Sequence, residues 1–409
     1  MDRRPSPGIS DKRFLHEEMT TARKILCVCG ARPNFMKVAP IVRALSERAV
    51  EHRLIHTGQH YDERMSRLFF RDLGLPAPHV NLEVGSASHA VQTAQIMIRF
   101  EPELLQYDPD WVVVVGDVNS TVACSLVAAK LGVKVAHVEA GLRSFDRTMP
   151  EEINRIVTDR ISDALFVTEE SGVENLRQEG IDEQRIHFVG NVMIDTLMQF
   201  RPRADESTIL NDLPLNGPYA VVTLHRPSNV DDPVTFGSIL KALIRLSDDL
   251  PVVFPIHPRS RQAWEASEFC DLLSTAPHFR LIDPLGYFDF LKLMAEASLV
   301  LTDSGGIQEE TTILNVPCLT LRNNTERPVT ITHGTNRLAG TSSESILRAY
   351  DDLRRDPPRP IEPPPLWDGR AAGRIVDGLL GLTRTPSTVP TLKGGPARVP
   401  LSSPVESCT

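Results

Sequence analysis

The clearest chemistry in this chain lies where an apolar run, Leu299–Thr302, meets Asp303-Ser304-Gly305-Gly306 and continues as Ile307-Gln308-Glu309-Glu310. Residues with little side-chain bulk at the start of a helix leave backbone N–H groups and the positive end of the helix dipole facing open space, which suits a phosphate. Ser304, Gly305 and Gly306 are therefore candidate phosphate contacts. Glu309 and Glu310 follow about one turn later, where one of them can accept hydrogen bonds from ribose hydroxyls. Ser-Gly-Gly alone also describes an ordinary glycine-rich strand–helix turn, so the reading rests on what else the chain supplies.

Carboxylates follow strand-like runs in the N-terminal half. Gly116-Asp117-Val118-Asn119 comes after Trp111–Val115, His137-Val138-Glu139 ends the next apolar run, and Met149-Pro150-Glu151-Glu152 opens a helix. Asp117 equally suits an N-cap. Proline followed by acids is ordinary first-turn composition, the simple account of one of the two glutamates. Asp117, Glu139 and Glu151 at the mouth of one domain are also what removal and return of a proton require, because crowding and partial burial raise a carboxyl pKa towards neutrality. Cations occur at comparable points: Arg32 and Lys37 in Gly30-Ala31-Arg32-Pro33-Asn34-Phe35-Met36-Lys37, Arg155 beyond Glu151, and Arg327 in Thr325-Glu326-Arg327-Pro328. The first of these stretches lacks G-x-G-x-x-G spacing, so it is no dinucleotide fingerprint. His225 and His257 each follow a strand; His225 suits either a titrating group facing a cleft or a structural histidine. Tyr287, Phe288 and Phe290 offer faces for stacking on a base, core packing being the ordinary use of such rings.

The elements that must position these residues alternate. Lys24–Cys29, Arg53–Thr57, Trp111–Val115, Val133–Val138, Ala164–Thr168 and Ile186–Val189 read as strands, with helices over Val38–Arg48, Ser120–Leu131 and Glu151–Ser162. Continuous apolar strands suit a sheet covered on both faces, hence parallel α/β. The alternation restarts with strands at Tyr219–Thr223, Val252–Pro255, Phe279–Ile282, Leu299–Thr302 and Val316–Leu319. The expected organisation is two Rossmann-like doubly wound domains, 24–200 and 219–365, joined by a linker over 201–218, with ligands beyond the carboxyl ends of the strands in the cleft between them. A leader (1–23) and a tail (383–409) read as disordered, and a helix within 366–382 is expected to pack back on the first domain.

With 409 residues, two domains of ordinary size are the prior, and 41% hydrophobic and 24% charged residues are globular values. A net charge of −9 without a basic run argues against a nucleic-acid surface, and no apolar run approaches membrane-spanning length. The six cysteines show no metal-ligand spacing, and Cys27 and Cys29 read as buried thiols. The expected setting is the cytoplasm.

In combination and order, Gly-Ala-Arg-Pro, Gly-Asp-Val-Asn-Ser-Thr, His-Val-Glu-Ala-Gly-Leu-Arg, Pro-Glu-Glu-Ile-Asn-Arg, Asp-Ser-Gly-Gly-Ile-Gln-Glu-Glu and Thr-Glu-Arg-Pro resemble the bacterial non-hydrolysing UDP-N-acetylglucosamine 2-epimerase family, from about Lys24 to Leu382. The resemblance implies a glycosyltransferase-B-like fold, a homodimer, and no need for a nicotinamide or metal cofactor. It implies inversion at C2 of UDP-GlcNAc to UDP-ManNAc, by elimination of UDP and re-addition through a 2-acetamidoglucal intermediate. It places the catalytic carboxylates on Asp117, Glu139 and Glu151, with Asp117 and Glu151 as candidates for the proton transfers, and the functional histidine on His225. Arg32, Lys37, Arg155, Ser304, Gly305, Gly306 and Arg327 match phosphate or closure positions, Phe290 the uracil side and Glu310 the ribose contact; His257 is a further substrate-side candidate. An epimerase for a related 2-acetamido or diacetamido sugar nucleotide and a GT-B glycosyltransferase are the alternatives. His225-Arg226-Pro227-Ser228 replaces the His-Arg-Arg-Glu of many members, in a region that in some of them helps bind a second, activating UDP-sugar, whereas Gln59-His60 matches the other side of that region.

Overall fold

The computed structural model describes residues 23–59, 71–213, 215, 217–267, 269, 276–357 and 362–381, with the side chain of Arg32 outside that set. The expected leader (up to Ala22), the tail from Thr383 and His60 fall outside the described residues. The first sheet comprises β1 (Ile25–Cys29), β2 (His52–His56), β3 (Val80–Asn81), β4 (Trp111–Val115), β5 (Lys134–Ala140), β6 (Ala164–Val167) and β7 (Ile186–Phe188), in the order β3-β2-β1-β4-β5-β6-β7. Every pairing is parallel. Among its helices are α1 (Arg32–Glu47), α2 (His89–Tyr107), α3 (Asn119–Lys130), α4 (Pro150–Ile161), α5 (Glu170–Gln178) and α6 (Val192–Ala204), followed by short α7 (Ile209–Asp212). Helices on both faces explain why Trp111–Val115 is apolar and buried throughout.

The second sheet repeats the scheme with β8 (Ala220–Thr223), β9 (Val252–Pro255), β10 (Phe279–Ile282), β11 (Leu299–Thr302), β12 (Cys318–Thr320) and β13 (Asn336–Leu338), ordered β10-β9-β8-β11-β12-β13 and parallel. Its helices are α8 (Pro227–Val230), α9 (Pro233–Ser247), α10 (Pro258–Glu265), α11 (Tyr287–Ala295), α12 (Gly305–Leu314), α13 (Val329–Thr332) and α14 (Ser343–Arg355). The fold is thus α/β, two Rossmann-like units in the glycosyltransferase-B manner. In each sheet the strand order reverses beside the first strand, between β1 and β4 and between β8 and β11. Ligands of open α/β sheets sit at such switch points.

Element boundaries differ from expectation in places with physical causes. The first helix begins at Arg32 rather than Val38: Pro33 sits in the first turn, where a backbone N–H is not needed, and the Asn34 side chain accepts from the N–H of Gly30 (3.2 Å) and Ala31 (2.9 Å). The expected linker 201–218 begins inside α6, which tolerates Pro202, and contains α7. The strand expected over Val316–Leu319 runs instead from Cys318 to Thr320.

After α14 the chain returns to the first unit. Trp367, buried, donates its indole N–H to the Thr168 carbonyl at 2.9 Å, and α15 (Ala371–Leu380) packs on α1 and α6. Asp195 of α6 caps α15, accepting from the N–H of Ala371 (3.0 Å) and Ala372 (2.7 Å). Burial pushes its carboxyl up to about 6, against the pull of those two N–H groups. Replacing Asp195 by Ala strips both donors of their partner, so unfolding in urea should show a loss of about 1–2 kcal/mol. A loss below a few tenths would show that α15 docks without this cap.

Candidate functional site

The carboxyl ends of both pairs of switch-point strands supply the candidate residues. Lys37 lies in α1 after β1, Asp117 follows β4, His225 follows β8, and Asp303 to Gly306 follow β11. Glu139 stands on β5 where the register with β6 shifts, and its backbone is left-handed at φ +75°. Such bulges re-aim a side chain, and an unusual conformation of this kind in a non-glycine residue is characteristic of functional sites. Gly116 (φ +68°) makes room beside it, since a Cβ there would lie 3.2 Å from Lys37 Nζ and 3.5 Å from Glu139 Oε2.

Glu139 is buried between two cations. Lys37 Nζ pairs with Oε2, while Arg327 Nη2, from the second unit, donates to Oε1 at 2.6 Å. Arg327 also reaches Glu309 through Nε and Glu326 through Nη1, each at 2.6 Å. Burial alone would disfavour its charge; Glu309, Glu326 and Glu139 outweigh that and hold it protonated. The guanidinium lies against the amino end of α12, where a Cβ on Gly305 would sit 2.3 Å from Nη1. Glu326 in turn accepts from Arg226 (3.2 Å) and Arg322 (2.7 Å), so despite burial its carboxyl is held well below the usual range.

Asp117 receives Arg155 Nη2 at 2.9 Å. Desolvation would raise its carboxyl, but Arg155, Lys37 and Arg327 together hold it low. Arg155 also pairs with Glu152, which accepts from Ser144 N (3.0 Å), Ser144 Oγ (2.9 Å) and Phe145 N (2.9 Å). Glu152 is therefore the glutamate of that pair that organises the loop before α4, while Glu151, partly exposed, does not share those contacts. His225 is exposed, with Nδ1 at 2.9 Å from Asp303 Oδ1. Asp303, fully buried, also accepts from the N–H of His225 (3.0 Å) and Arg226 (2.9 Å), and these groups hold its carboxyl low against desolvation. His257 caps α10 and stands 6.2 Å from His225, ring to ring.

Ser304 forms the N-cap position of α12 without capping it by its side chain. Glu310, buried, accepts from the Tyr287 hydroxyl at 3.2 Å, and burial pushes its carboxyl up to about 8. Phe290 is partly exposed on α11. The backbone of Arg32 opens α1. Gln59 is engaged within the first unit, its Oε1 accepting from Ser120 N (2.9 Å) and Ser120 Oγ (2.6 Å). Among the described residues there is no group of three or more His, Cys, Asp or Glu able to hold a metal ion, and no helix is long and apolar enough to cross a membrane.

Sequence reading did not single out Glu326, Asp303 as the partner of His225, Asn34, or Tyr287 as the partner of Glu310. An acid directly preceding Arg327 was the available signal for Glu326; the others depend on which strand ends become neighbours.

The site thus sets carboxylates of one doubly wound unit against a side-chain-free helix start of the other, with the Arg327 guanidinium lying between them. The family model for UDP-N-acetylglucosamine 2-epimerase matches residues 43–380. The UDP-N-acetylglucosamine 2-epimerase of Methanocaldococcus jannaschii is 43% identical over 86% of this chain and 98% of its own length. Its crystal structure with UDP-GlcNAc and UDP superposes with a TM-score of 0.82, at 42% identity, over 87% of this chain and 99% of that one. The UDP-2,3-diacetamido-2,3-dideoxy-D-glucuronate 2-epimerase of Pseudomonas aeruginosa is 40% identical over 80% of this chain and 91% of its own. This chain belongs to the UDP-N-acetylglucosamine 2-epimerase family.

Glu169, at the N-cap of α5, is buried and accepts from Ser171 Oγ at 2.5 Å; burial pushes its carboxyl up to about 8, with the Ser171 hydroxyl, Arg327 and the Val329 N–H opposing and Glu309 reinforcing. A carboxyl raised in the fold binds its proton more tightly there than in the unfolded chain. Its stabilising contribution is complete below about pH 4.5 and lost as pH rises through 8, with a slope of at most about 1.4 kcal/mol per pH unit. Glu169→Gln should flatten the fall in urea-unfolding free energy between pH 5 and 8; an unchanged pH profile would count against a protonated Glu169.

Proposed function

We propose that the chain interconverts UDP-GlcNAc and UDP-ManNAc without hydrolysis. The observation that carries this reading is the juxtaposition of Asp117 and the clamped Glu139 with Arg327 at the amino end of α12, in a chain of this family. A carboxylate takes the proton from C2 while the C1–O bond to UDP breaks; the C–H electrons become the C1=C2 double bond of a 2-acetamidoglucal. UDP then re-adds to C1 as a proton reaches the other face of C2. That C2–H is not acidified by an adjacent carbonyl, so stabilising the leaving diphosphate at the α12 terminus, with Arg327 and His225, supplies much of the rate.

The environments support a division of roles. Glu139, with both oxygens engaged by Lys37 and Arg327, serves to orient those cations. Asp117, held ionised, and Glu151, partly exposed, carry the transfers. Asp117→Asn and Glu151→Gln should lower turnover by about 100-fold or more with UDP binding retained, and Glu139→Gln should weaken both. The direct assay is proton NMR in deuterated buffer without added cofactor, where UDP-ManNAc carrying deuterium at C2 is expected. Unchanged turnover in all three variants would sink the carboxylate mechanism, and hydrolysis to free sugar without epimer would favour a transferase. The similar identity to the Pseudomonas aeruginosa enzyme supports a second reading, in which the same chemistry acts on a diacetamido uronate; a UDP-sugar panel separates the two.

The chain is further proposed to act as a homodimer. Helix α2 exposes Val91, Ile98 and Leu105, seven residues apart on one face, an unpartnered apolar stripe that a second copy can cover. Light scattering should give twice the chain mass, and Ile98→Glu should give a monomer; a monomeric wild type would overturn this.

A further inference from the structure

Beneath the carboxylates lies a buried cluster that the mechanism above does not use. His137, on β5 and fully buried, places Nδ1 at 2.6 Å from Asp159 Oδ1 and Nε2 at 2.8 Å from the Gly116 carbonyl oxygen. Asp159, on α4, turns its other oxygen to Arg143 Nη1 (2.7 Å) and to the N–H of Gly141 (3.1 Å). Arg143 is held in place by Glu179, at 2.7 Å and 2.8 Å.

The two glycines are the points that matter. Gly116 immediately precedes Asp117, and Gly141 follows Glu139 by two residues. Both are left-handed, at φ +68° and +80°, so each is a sharp turn that aims the adjoining carboxylate. The His137 ring and the Asp159 carboxylate grip the turns from below: Gly116 through its carbonyl, Gly141 through its N–H.

The hydrogen-bond chemistry fixes the protons. A carbonyl oxygen has none to give, so Nε2 must carry hydrogen. Asp159 Oδ2 accepts from Arg143 Nη1 and from the Gly141 N–H, and the buried guanidinium beside it favours the ionised carboxylate whatever the state of the ring. Asp159 Oδ1 therefore accepts, and Nδ1 carries hydrogen as well. Only an imidazolium donates from both nitrogens.

We propose that His137, doubly protonated and held by Asp159, is a positioning residue that sets the Asp117 and Glu139 turns for the proposed epimerase reaction. The charges facing the ring are Asp159 and, behind it, Arg143 on the α4 side; Asp117 adjoins the carbonyl it binds on the β4 side, and Glu139 lies on its own strand. A neutral ring satisfies one acceptor and releases the other turn. The contacts proposed above for the leaving diphosphate, the α12 terminus with Arg327 and His225, belong to the second unit, so the effect falls mainly on kcat.

The proposal rests on the reading under Proposed function, and the test has an arm free of it. In the intact wild-type protein with nitrogen-15 histidine and no substrate, the histidine whose signals vanish in His137→Gln should show two ring N–H protons, slow to exchange. A single ring proton would overturn the proposal whatever reaction the enzyme catalyses. In the second arm, His137→Gln and Asp159→Asn should lose about 100-fold in kcat with KM for UDP-GlcNAc within about threefold, in samples folded by near-ultraviolet circular dichroism. Wild-type kcat in His137→Gln, or a loss confined to KM, would also overturn it. If the wild type turns over no UDP-sugar, the reaction assigned above fails, and the ring-proton result alone decides the state of His137.

Discussion

The Arg327 guanidinium, buried and shared among Glu139, Glu309 and Glu326, ties the two doubly wound units together at the site. A charge withdrawn from water costs several kcal/mol unless partners offset it, and removing one partner of such a group leaves the rest stranded. The surrounding arrangement follows from meeting that demand. Glu139 reaches the guanidinium only because β5 bulges, Gly305 must lack a side chain because the guanidinium occupies that space, and Glu326 must itself be balanced by Arg226 and Arg322. Of these contacts only the one to Glu139 crosses the cleft, so the position of the second unit is registered directly at a carboxylate of the first.

The fold makes this possible by repeating one topology. In both sheets the strand order reverses beside the first strand, and the carboxyl ends there open towards the same cleft. Each unit contributes backbone features rather than bulk: left-handed Gly116 and Gly141 on one side, the bare start of α12 on the other. The return of the chain through Trp367 and α15 anchors the end of the second unit on the first, close to α1, which carries Lys37. Packing far from the cleft thereby bears on the geometry inside it.

How much of this was legible in the residues follows from which interactions are local. Continuous apolar runs such as Trp111–Val115 suit doubly covered parallel strands, and Ser304-Gly305-Gly306 suits a helix start free of side-chain bulk, because both are properties of a few consecutive residues. The start of α1 escapes such a reading because an Asn34 side chain reaching back to Gly30 and Ala31 outweighs the absence of apolar periodicity before Val38. The strands Val80–Asn81 and Asn336–Leu338 are edge pieces too short to show a period. The partnerships of Arg327 with Glu139 and of His225 with Asp303 are beyond reach for a different reason: each joins residues from separate strand ends, and only strand order decides which ends are neighbours.

Environment then separates carboxylates that the chain writes with similar letters. Glu151 and Glu152 are adjacent in α4, yet Glu152 is consumed by Arg155 and the Ser144–Phe145 backbone while Glu151 stays partly open. Glu309 and Glu310 are adjacent in α12, yet one is bound to Arg327 and the other to the Tyr287 hydroxyl, with its proton retained to about pH 8. A neutral Glu310 can both donate and accept towards paired hydroxyls, whereas an ionised one could only accept. Asp117 is pulled the other way by Arg155, Lys37 and Arg327, and an acid held ionised beside cations is a weak base in the ground state. In the proposed reaction its strength would come from placement, which the left-handed turns at Gly116 and Gly141 beside the carboxylates supply.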